Sequence, residues 1–261
     1  MTKLRATLKK FNQYQFLLTQ LIVKNIKLKY RKSYLGVLWS LIEPILTMFV
    51  LTLIFGKLLG RGDQYFPIYV LSGRLLYSYY STCTKQAMRS IRSHASMIKK
   101  VYVPKYLYPL SSCISSYVIS LISLVDLFLV VLIMGMPLTP RIFLAVVPVL
   151  ILFFLAYGSS MILATIDVFF RDIEYIWDVF LMLIMYSCAI FYKVESMVGT
   201  TAYTILKLNP LFCLIQSFRD CIYGSPMDAG MLLYAFGFSV VACLFGTWIC
   251  QKKQDQFIFH L

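Results

Sequence analysis

Three ionisable side chains lie inside long apolar stretches of the sequence: Glu43, Arg74 and Asp126. A charge in such a stretch is costly unless it is paired or in contact with water or a polar ligand. Arg74 and Asp126 each fall about eight residues, or about 12 Å, from the same end of two helices that form a predicted hairpin. We therefore expect an Arg74–Asp126 ion pair. A structural lock and a contact with a passing polar substrate are both open as its role.

Glu43 precedes Pro44 near the start of an apolar run. Proline removes a backbone hydrogen bond and permits a bend, so the carboxylate faces either an inner vestibule or a neighbouring helix. Catalytic groups are not clustered, because the acids are dispersed and His94 and His260 are the two histidines of the chain. We expect His94 to be solvated in a basic loop. No metal site or catalytic residue is predicted.

Aromatic residues make up 16% of the chain. Most are expected to be membrane-interface anchors, but tyrosine rings and hydroxyls also suit contacts with sugars. The candidates for lining a conduit are Tyr77, Tyr79, Tyr80 and Tyr186.

The bulk composition indicates a membrane protein. Hydrophobic residues form 60% of the chain, whereas a soluble domain holds about half. The net charge of +14 is clustered between apolar runs, which argues against nucleic acid binding. We predict an all-α polytopic protein with six membrane-spanning helices of about 20 residues each. The predicted spans are 36–56, 66–84, 107–134, 142–166, 176–192 and 229–250.

The basic residues give the orientation. Of the 25 lysines and arginines, 18 fall on one side of this topology and six on the other. The basic side includes residues 1–35, the loop 85–106 and the tail, so both termini are predicted to be cytoplasmic.

Two segments outside the spans have their own patterns. Residues 1–35 form a predicted basic amphipathic helix in the lipid headgroup layer, before a transmembrane domain at 36–261. Its apolar stripe consists of Phe11, Tyr14, Leu18, Leu21 and Leu28. The outer segment 193–228 carries two short apolar pieces separated by Asn209 and Pro210. These pieces are either re-entrant helices or helices lying on the outer surface.

Four motifs together resemble a known family. They are KYRKSYLGVLWSLIEPIL (29–46), KKVYVPKYLYPL (99–110), FFRDI (169–173) and LNPL (208–211). In this order and spacing they resemble the permease subunit of ABC-2 type polysaccharide exporters, which serve O-antigen, capsule and teichoic acid export. Arg74 departs from the family's pattern, in which this position is usually uncharged.

The resemblance implies a homodimer in the bacterial cytoplasmic membrane that exports a lipid-linked polysaccharide through a path between the copies. ATP and Mg²⁺ would bind two copies of a separate nucleotide-binding protein, because this chain has no GxxxxGK[ST] loop; no cofactor is expected on this chain. Residues expected to couple the two proteins are Arg89, Arg92, Lys99, Lys100, Arg171 and Asp172. Residues expected where the substrate enters and passes are Arg31, Tyr34, Trp39, Glu43, Tyr77, Tyr80 and Tyr186. Asn209 and Pro210 resemble the outer gate.

Other interpretations stay open at this stage. The bases of the loop 85–106 can serve only to hold it in the cytoplasm. An ABC-2 permease for a drug or another lipid differs mainly in the N-terminal signature. A membrane-embedded glycan-modifying enzyme would need clustered catalytic groups, and an ion-coupled flippase more usually has 12 or more spans.

Overall fold

Residues 2–31, 33–58, 64–100, 103–194 and 199–257 are described in this computed structural model, the side chains of 2–13, 57 and 58 apart. Within these ranges all regular secondary structure is helical. Parts of the predicted loop 85–106 and of the outer segment 193–228 lie outside the described residues.

Ten α-helices follow one another along the described chain. They are α1 Thr2–Tyr30, α2 Trp39–Leu51, α3 Phe66–Ser93, α4 Ala95–Ile98, α5 Leu107–Ile133, α6 Val146–Phe169, α7 Ile173–Ser187, α8 Thr201–Lys207, α9 Pro210–Tyr223 and α10 Ala229–Lys253. Short 3-10 turns at Gly36–Leu38 and Pro140–Ala145 lead into α2 and α6, and a π-helical stretch at Thr52–Leu58 continues α2.

Four segments are long and apolar enough to cross a membrane: Gly36–Gly56, Leu107–Ile133, Pro140–Phe169 and Ala229–Lys253. They coincide with the first, third, fourth and sixth predicted spans. The second predicted span lies in α3, which has the length but is diluted by tyrosines, serines and Arg74. The fifth lies in α7, which has 15 residues. Six spans therefore stay a prediction.

The helix α3 lies at the centre of the protein. It packs against α2, α5, α6, α7 and α9, and it buries residues on every side, including Ile68, Leu71 and Cys83. Protein therefore surrounds α3, which explains how a helix with so many hydroxyl groups can lie among apolar helices.

The helices α6 and α10 approach each other through glycine. A Cβ atom on Gly158 would lie 2.6 Å from the backbone carbon of Ala242, and one on Gly246 would lie 2.7 Å from the carbonyl oxygen of Gly158. Small residues at such contacts let two backbones meet without intervening side chains.

The helix α1 packs on the protein with part of its apolar stripe. Leu18 and Leu21 are buried in a cluster with Leu107 and Tyr108 of α5 and with Phe257. The prediction that this stripe faces lipid is wrong at these two positions, because the chain after α3 supplies an apolar surface beneath α1. Leu28 is exposed, as an interfacial residue would be, and the side chain of Phe11 lies outside those described.

The two short outer helices form close to the predicted positions. The side chain of Asn209 accepts a hydrogen bond from the backbone N–H of Leu211 at 3.0 Å, Pro210 occupies the first turn, and Gly224 ends α9 with φ of 73°. These are ordinary start and stop signals of a helix. The helix α9 buries ten of its 14 residues, so it does not lie on the outer surface. Re-entry into the membrane stays a prediction.

Candidate functional site

Six charged side chains meet where α3, α6 and α7 end or begin, and we call them the α3–α6–α7 ion-pair cluster: Lys85, Arg89, Arg92, Asp167, Glu174 and Asp178. The bases recur at i, i+4 and i+7 on α3, and two of the acids recur at i and i+4 on α7, so each set shares one helix face. Helix spacing therefore places the bases in one row and these two acids in another, and the packing of α3 against α7 brings the two rows together.

The pairs of this cluster link three helices. Arg92 lies 3.6 Å from Asp167 at the end of α6 and also pairs with Glu174 of α7. Arg89 pairs with Glu174 at 2.7 Å, and Lys85 pairs with Asp178 at 2.7 Å. The chain thus supplies acids for these three α3 cations.

Burial separates the strong pairs from the weak ones. The side chain of Asp167 is 0% exposed and that of Arg92 is 29% exposed, so water screens this pair little. Lys85 and Asp178 are 41% and 48% exposed, and such surface pairs contribute about 0–1 kcal/mol. Arg92 is therefore the principal cation of the cluster.

Neutral hydrogen bonds extend the attachment of α3 to α7 and α6. The indole N–H of Trp177 donates to the hydroxyl of Thr84 at 3.0 Å, and the hydroxyl of Tyr77 donates to the carbonyl of Leu181 at 2.8 Å. The hydroxyl of Tyr80 donates to that of Ser159 on α6 at 3.1 Å. The helix α7 is thus held to α3 along most of its length.

These contacts correct two predictions about tyrosines. Tyr77 is buried between α3 and α7, so its predicted place on a conduit is wrong in this structure. Tyr79 is buried as well. The ring of Tyr80 borders an apolar groove between α6, α7 and α10, while its hydroxyl is used in packing. Tyr186 is exposed on α7, and its role stays a prediction.

The predicted coupling residues divide into two groups. Arg89 and Arg92 pair within the chain, so acids of α6 and α7 already compensate their charge, and their contact with a partner protein stays a prediction. The others are exposed at the turn after α4 and at the turn between α6 and α7. They are Lys99, Lys100, Arg171 and Asp172.

His94 is not solvated, contrary to expectation. Its ring stacks on Tyr108 with centroids 4.9 Å apart, its Nδ1 lies 2.9 Å from the carbonyl oxygen of Ser90, and its Nε2 lies 3.3 Å from Nζ of Lys24. Because a carbonyl only accepts and an ammonium only donates, Nδ1 carries the proton and Nε2 accepts. Burial, reinforced by Lys24, lowers the pKa of His94, against an opposing effect of the Ser90 carbonyl.

A polar cleft of about 70 Å³ lies between α2, α3 and α5, and we call it the α2–α3–α5 cleft. Its charged lining residues are Lys29, Glu43 and Arg74. Its hydroxyl-bearing lining residues are Ser40, Thr47, Ser78, Tyr79, Thr82, Ser116, Ser120 and Ser123. Glu43 thus borders a polar space next to Pro44, and its place at an inner vestibule stays a prediction.

The predicted Arg74–Asp126 ion pair does not form. Both carboxylate oxygens of Asp126 are buried without a hydrogen-bonding partner among the described residues, whereas Arg74 lines the cleft. Arg74 lines the cleft together with its hydroxyl-bearing residues, and Asp126 lies one turn beyond the last of them, Ser123, and is buried. Equal depth in two adjacent helices did not imply a shared face.

The carbonyl of Ser40 in α2 has a hydrogen-bond donor that no pattern in the sequence predicted. Pro44 cannot donate the backbone hydrogen bond that the carbonyl of Ser40 would otherwise accept. The hydroxyl of Ser123 on α5 donates to that carbonyl at 2.9 Å. A proline inside a predicted span indicates that the carbonyl four residues earlier lacks its usual backbone donor. It does not indicate which helix supplies the replacement donor.

The remaining path residues lie on an open face. Arg31, Tyr34, Trp39 and Glu43 are exposed, and Ser40 is the one buried residue of α2. Beside Arg31, a basic groove of about 340 Å³ follows the last turns of α1. It is lined by Gln20, Val23, Lys24, Lys27, Leu28 and Arg31.

The predicted gate is attached to neighbouring elements. Asn209 donates to the hydroxyl of Ser187 at 2.9 Å, which ties the start of α9 to the end of α7. Arg219 of α9, also missed, is buried and donates to the carbonyls of Ala189 at 3.1 Å and Tyr69 at 3.0 Å. A Cβ on Gly73 would lie 2.5 Å from the guanidinium of Arg219, so this glycine makes room for it.

Comparisons with known proteins agree on one family. The family model "ABC-2 type transporter" matches residues 16–223. The O-antigen export system permease protein RfbA of Myxococcus xanthus is 28% identical over 247 residues, which cover 94% of this chain and 95% of that protein. RfbA of Klebsiella pneumoniae is 24% identical over 244 residues, with 92% and 93% covered.

The polysialic acid transport protein KpsM of Escherichia coli is 20% identical over 243 residues, with 90% of this chain and 92% of that protein covered. The resemblance drawn from the four motifs is confirmed, because these relatives and the family model span the motifs and most of the chain. The chain belongs to the membrane family of ABC-2 type transporters.

Proposed function

We propose that this chain is the transmembrane permease subunit of an ATP-driven exporter that moves a lipid-linked polysaccharide, of the O-antigen or capsule type, across the bacterial cytoplasmic membrane. The observation that carries the proposal is the alignment over more than nine tenths of both chains with two O-antigen export permeases. A polysialic acid transport protein aligns over a similar length.

ATP hydrolysis is assigned to two copies of a separate nucleotide-binding protein, which also hold Mg²⁺. We place its docking surface at the exposed turns that carry Lys99, Lys100, Arg171 and Asp172. The turn at Arg171 and Asp172 lies between Asp167 and Glu174 of the α3–α6–α7 ion-pair cluster, so a push on this turn would reach α3 and α7 together. Arg89 and Arg92 then act inside the permease, by transmitting movement, and not at the docking surface.

A second copy of the chain completes the proposed path. The helix α7 buries Leu181 alone among its residues, and α2 buries Ser40 alone. Two apolar helices with so few buried residues are covered either by lipid or by another protein. A homodimer built on them would place Trp39 and Tyr186 beside the path.

The substrate is proposed to enter near the end of α1. The basic groove beside Arg31 combines three cations with apolar side chains, and this combination suits a lipid phosphate at the membrane surface. Six spans with both termini in the cytoplasm, and α8 and α9 near the outer gate at Asn209 and Pro210, complete the proposed topology.

The proposal is tested by ATPase activity in proteoliposomes that contain this chain and its nucleotide-binding partner. A lipid-linked glycan of the cognate cell should stimulate ATP hydrolysis, whereas the same carrier lipid without glycan should do so much less. If every lipid-linked glycan leaves the activity at its basal level while a drug or simple lipid raises it, the polysaccharide assignment is wrong.

A further inference from the structure

Arg74 lies on α3, within the second predicted span, and it borders the α2–α3–α5 cleft. Among the described residues it makes no hydrogen bond and no ion pair, and it lines the α2–α3–α5 cleft. A charged group within a membrane span is ordinarily paired, hydrated or engaged with a substrate. An arginine that faces a cleft therefore has donors to offer to a ligand.

The cleft places hydroxyl groups around this cation on three helices. Thr47 is on α2, Ser78 and Thr82 are on α3, and Ser120 is on α5. The seven or eight residues that separate lining positions on each helix correspond to a length of about 10–12 Å. The cleft is thus a short polar trough with apolar helices on its outer sides.

The charge and the volume of the cleft limit the classes of ligand that it can bind. Lys29 and Arg74 outweigh Glu43, which leaves an excess of one positive charge. A volume of about 70 Å³ holds roughly five to seven water molecules at about 10–15 Å³ each. A tetrahedral oxyanion, with five non-hydrogen atoms, is comparable in size to this number of water molecules.

We propose that the α2–α3–α5 cleft binds a singly charged phosphate group. Arg74 provides the planar fork of N–H donors that matches two phosphate oxygens, Lys29 provides the second cation, and the serine and threonine hydroxyls donate to the remaining oxygens. Glu43 lowers the positive charge, so a monoanionic phosphodiester is favoured over a dianion. The phosphate belongs either to a membrane lipid or to a free anion.

Binding to the purified full-length chain in detergent tests this site without any transport assay. The melting temperature is followed by tryptophan fluorescence during titration with short-chain phosphatidylglycerol or with inorganic phosphate. Short-chain diacylglycerol and sodium chloride at equal ionic strength serve as comparisons. We expect a saturable rise with a phosphate-bearing probe. A response to phosphatidylglycerol alone identifies a lipid headgroup, and a response to both probes shows that the phosphate group suffices.

Variants locate the site. Arg74→Gln should weaken apparent binding at least about tenfold, as loss of a charge-assisted contact does, and Arg74→Lys and Ser120→Ala should weaken it less. Lys252→Gln, which removes an exposed cation elsewhere, should leave the titration curve unchanged.

Three results overturn the proposal: no saturable rise with either phosphate probe, an equal rise with diacylglycerol or chloride, or an unchanged curve in Arg74→Gln. If Arg74→Gln fails to fold, unchanged curves in both Arg74→Lys and Ser120→Ala have the same meaning. Because the readout is binding, the outcome does not depend on whether the chain exports a polysaccharide.

Discussion

Arg92 bridges two acids on different helices: its guanidinium lies 3.6 Å from Asp167 at the end of α6 and pairs with Glu174 at the start of α7. A short turn that carries the exposed Arg171 and Asp172 separates these two helices. One cation on α3 therefore holds both ends of the turn. Force applied to the turn would pass directly to the central helix α3.

Replacing Arg92 by Gln should lower the free energy of unfolding by about 3 kcal/mol, the lower end of the range for a broken buried ion pair, because Arg92 is partly exposed. The loss leaves Asp167 enclosed without its cation. Chemical unfolding of the purified protein in detergent measures it. Lys85→Gln breaks an exposed pair and should cost less than about 1 kcal/mol; equal losses in the two variants would contradict the ranking.

In the assembled exporter, Arg92→Gln should also reduce export per ATP hydrolysed, because the turn between α6 and α7 would lose its bridging contact with α3. Lys85→Gln should reduce it less. The measurement is the ratio of glycan transported to phosphate released. A variant that loses both activities in proportion would indicate simple inactivation and not uncoupling.

The Ser123 hydroxyl should matter only while Pro44 is present. Ser123→Ala leaves the Ser40 carbonyl without its donor and should cost about 1–3 kcal/mol of unfolding free energy. In a Pro44→Ala background the backbone N–H of residue 44 can donate to that carbonyl, so the same serine change should cost clearly less. A double-mutant cycle of unfolding free energies gives the comparison, and additive effects would exclude the proposed link.

The close approach of α6 and α10 should not tolerate a side chain at Gly158. Gly158→Ala places a Cβ 2.6 Å from backbone and should cost about 1–3 kcal/mol through overpacking. A Cβ on Gly237 of α10 would meet no atom of a neighbouring element within 4 Å, so Gly237→Ala should be neutral or stabilising by up to about 1 kcal/mol. Thermal unfolding of both variants decides the matter: similar shifts would mean that glycine at position 158 has no packing role.

Stability should fall when the pH drops through the titration range of His94. The pKa of the folded group lies below its ordinary value of 6.5, so the unfolded chain binds more protons between these two values, and stability rises with pH across this window. Below the lowered pKa, His94 is protonated in both the folded and the unfolded chain, so its contribution to the free energy of unfolding no longer changes with pH. His94→Gln should flatten the dependence of melting temperature on pH near 6; an unchanged slope would assign the effect to other groups.

Patterns along the chain predicted the helices well and their partners poorly. The apolar runs gave the four segments that can cross a membrane, and Asn209 with Pro210 marked the start of α9, because both signals are local. Local hydropathy leaves α3 out of these segments. Its polar residues are explained by the helices that pack around it, which the local sequence does not show.

Side-chain partners depend on how helices rotate against one another, and sequence spacing does not give that rotation. Arg74 and Asp126 were matched by depth, yet they face different surroundings. We expected Arg92 to pair with an acid of a partner protein. Within the chain it pairs with acids about 75 and 82 residues further on, which helix packing brings close to it. His94 looked solvated among bases and instead stacks on Tyr108.

Movement of a lipid-linked glycan across a sealed membrane tests the proposed export most directly. Proteoliposomes containing this chain and its nucleotide-binding partner are supplied with the glycan on the cytoplasmic face, and a membrane-impermeant glycosidase or lectin reads its arrival on the other side. We predict arrival that requires ATP and that Arg92→Gln reduces more than Lys85→Gln. ATP hydrolysis at full rate with no glycan reaching the far side, for every cognate glycan supplied, would contradict the export function.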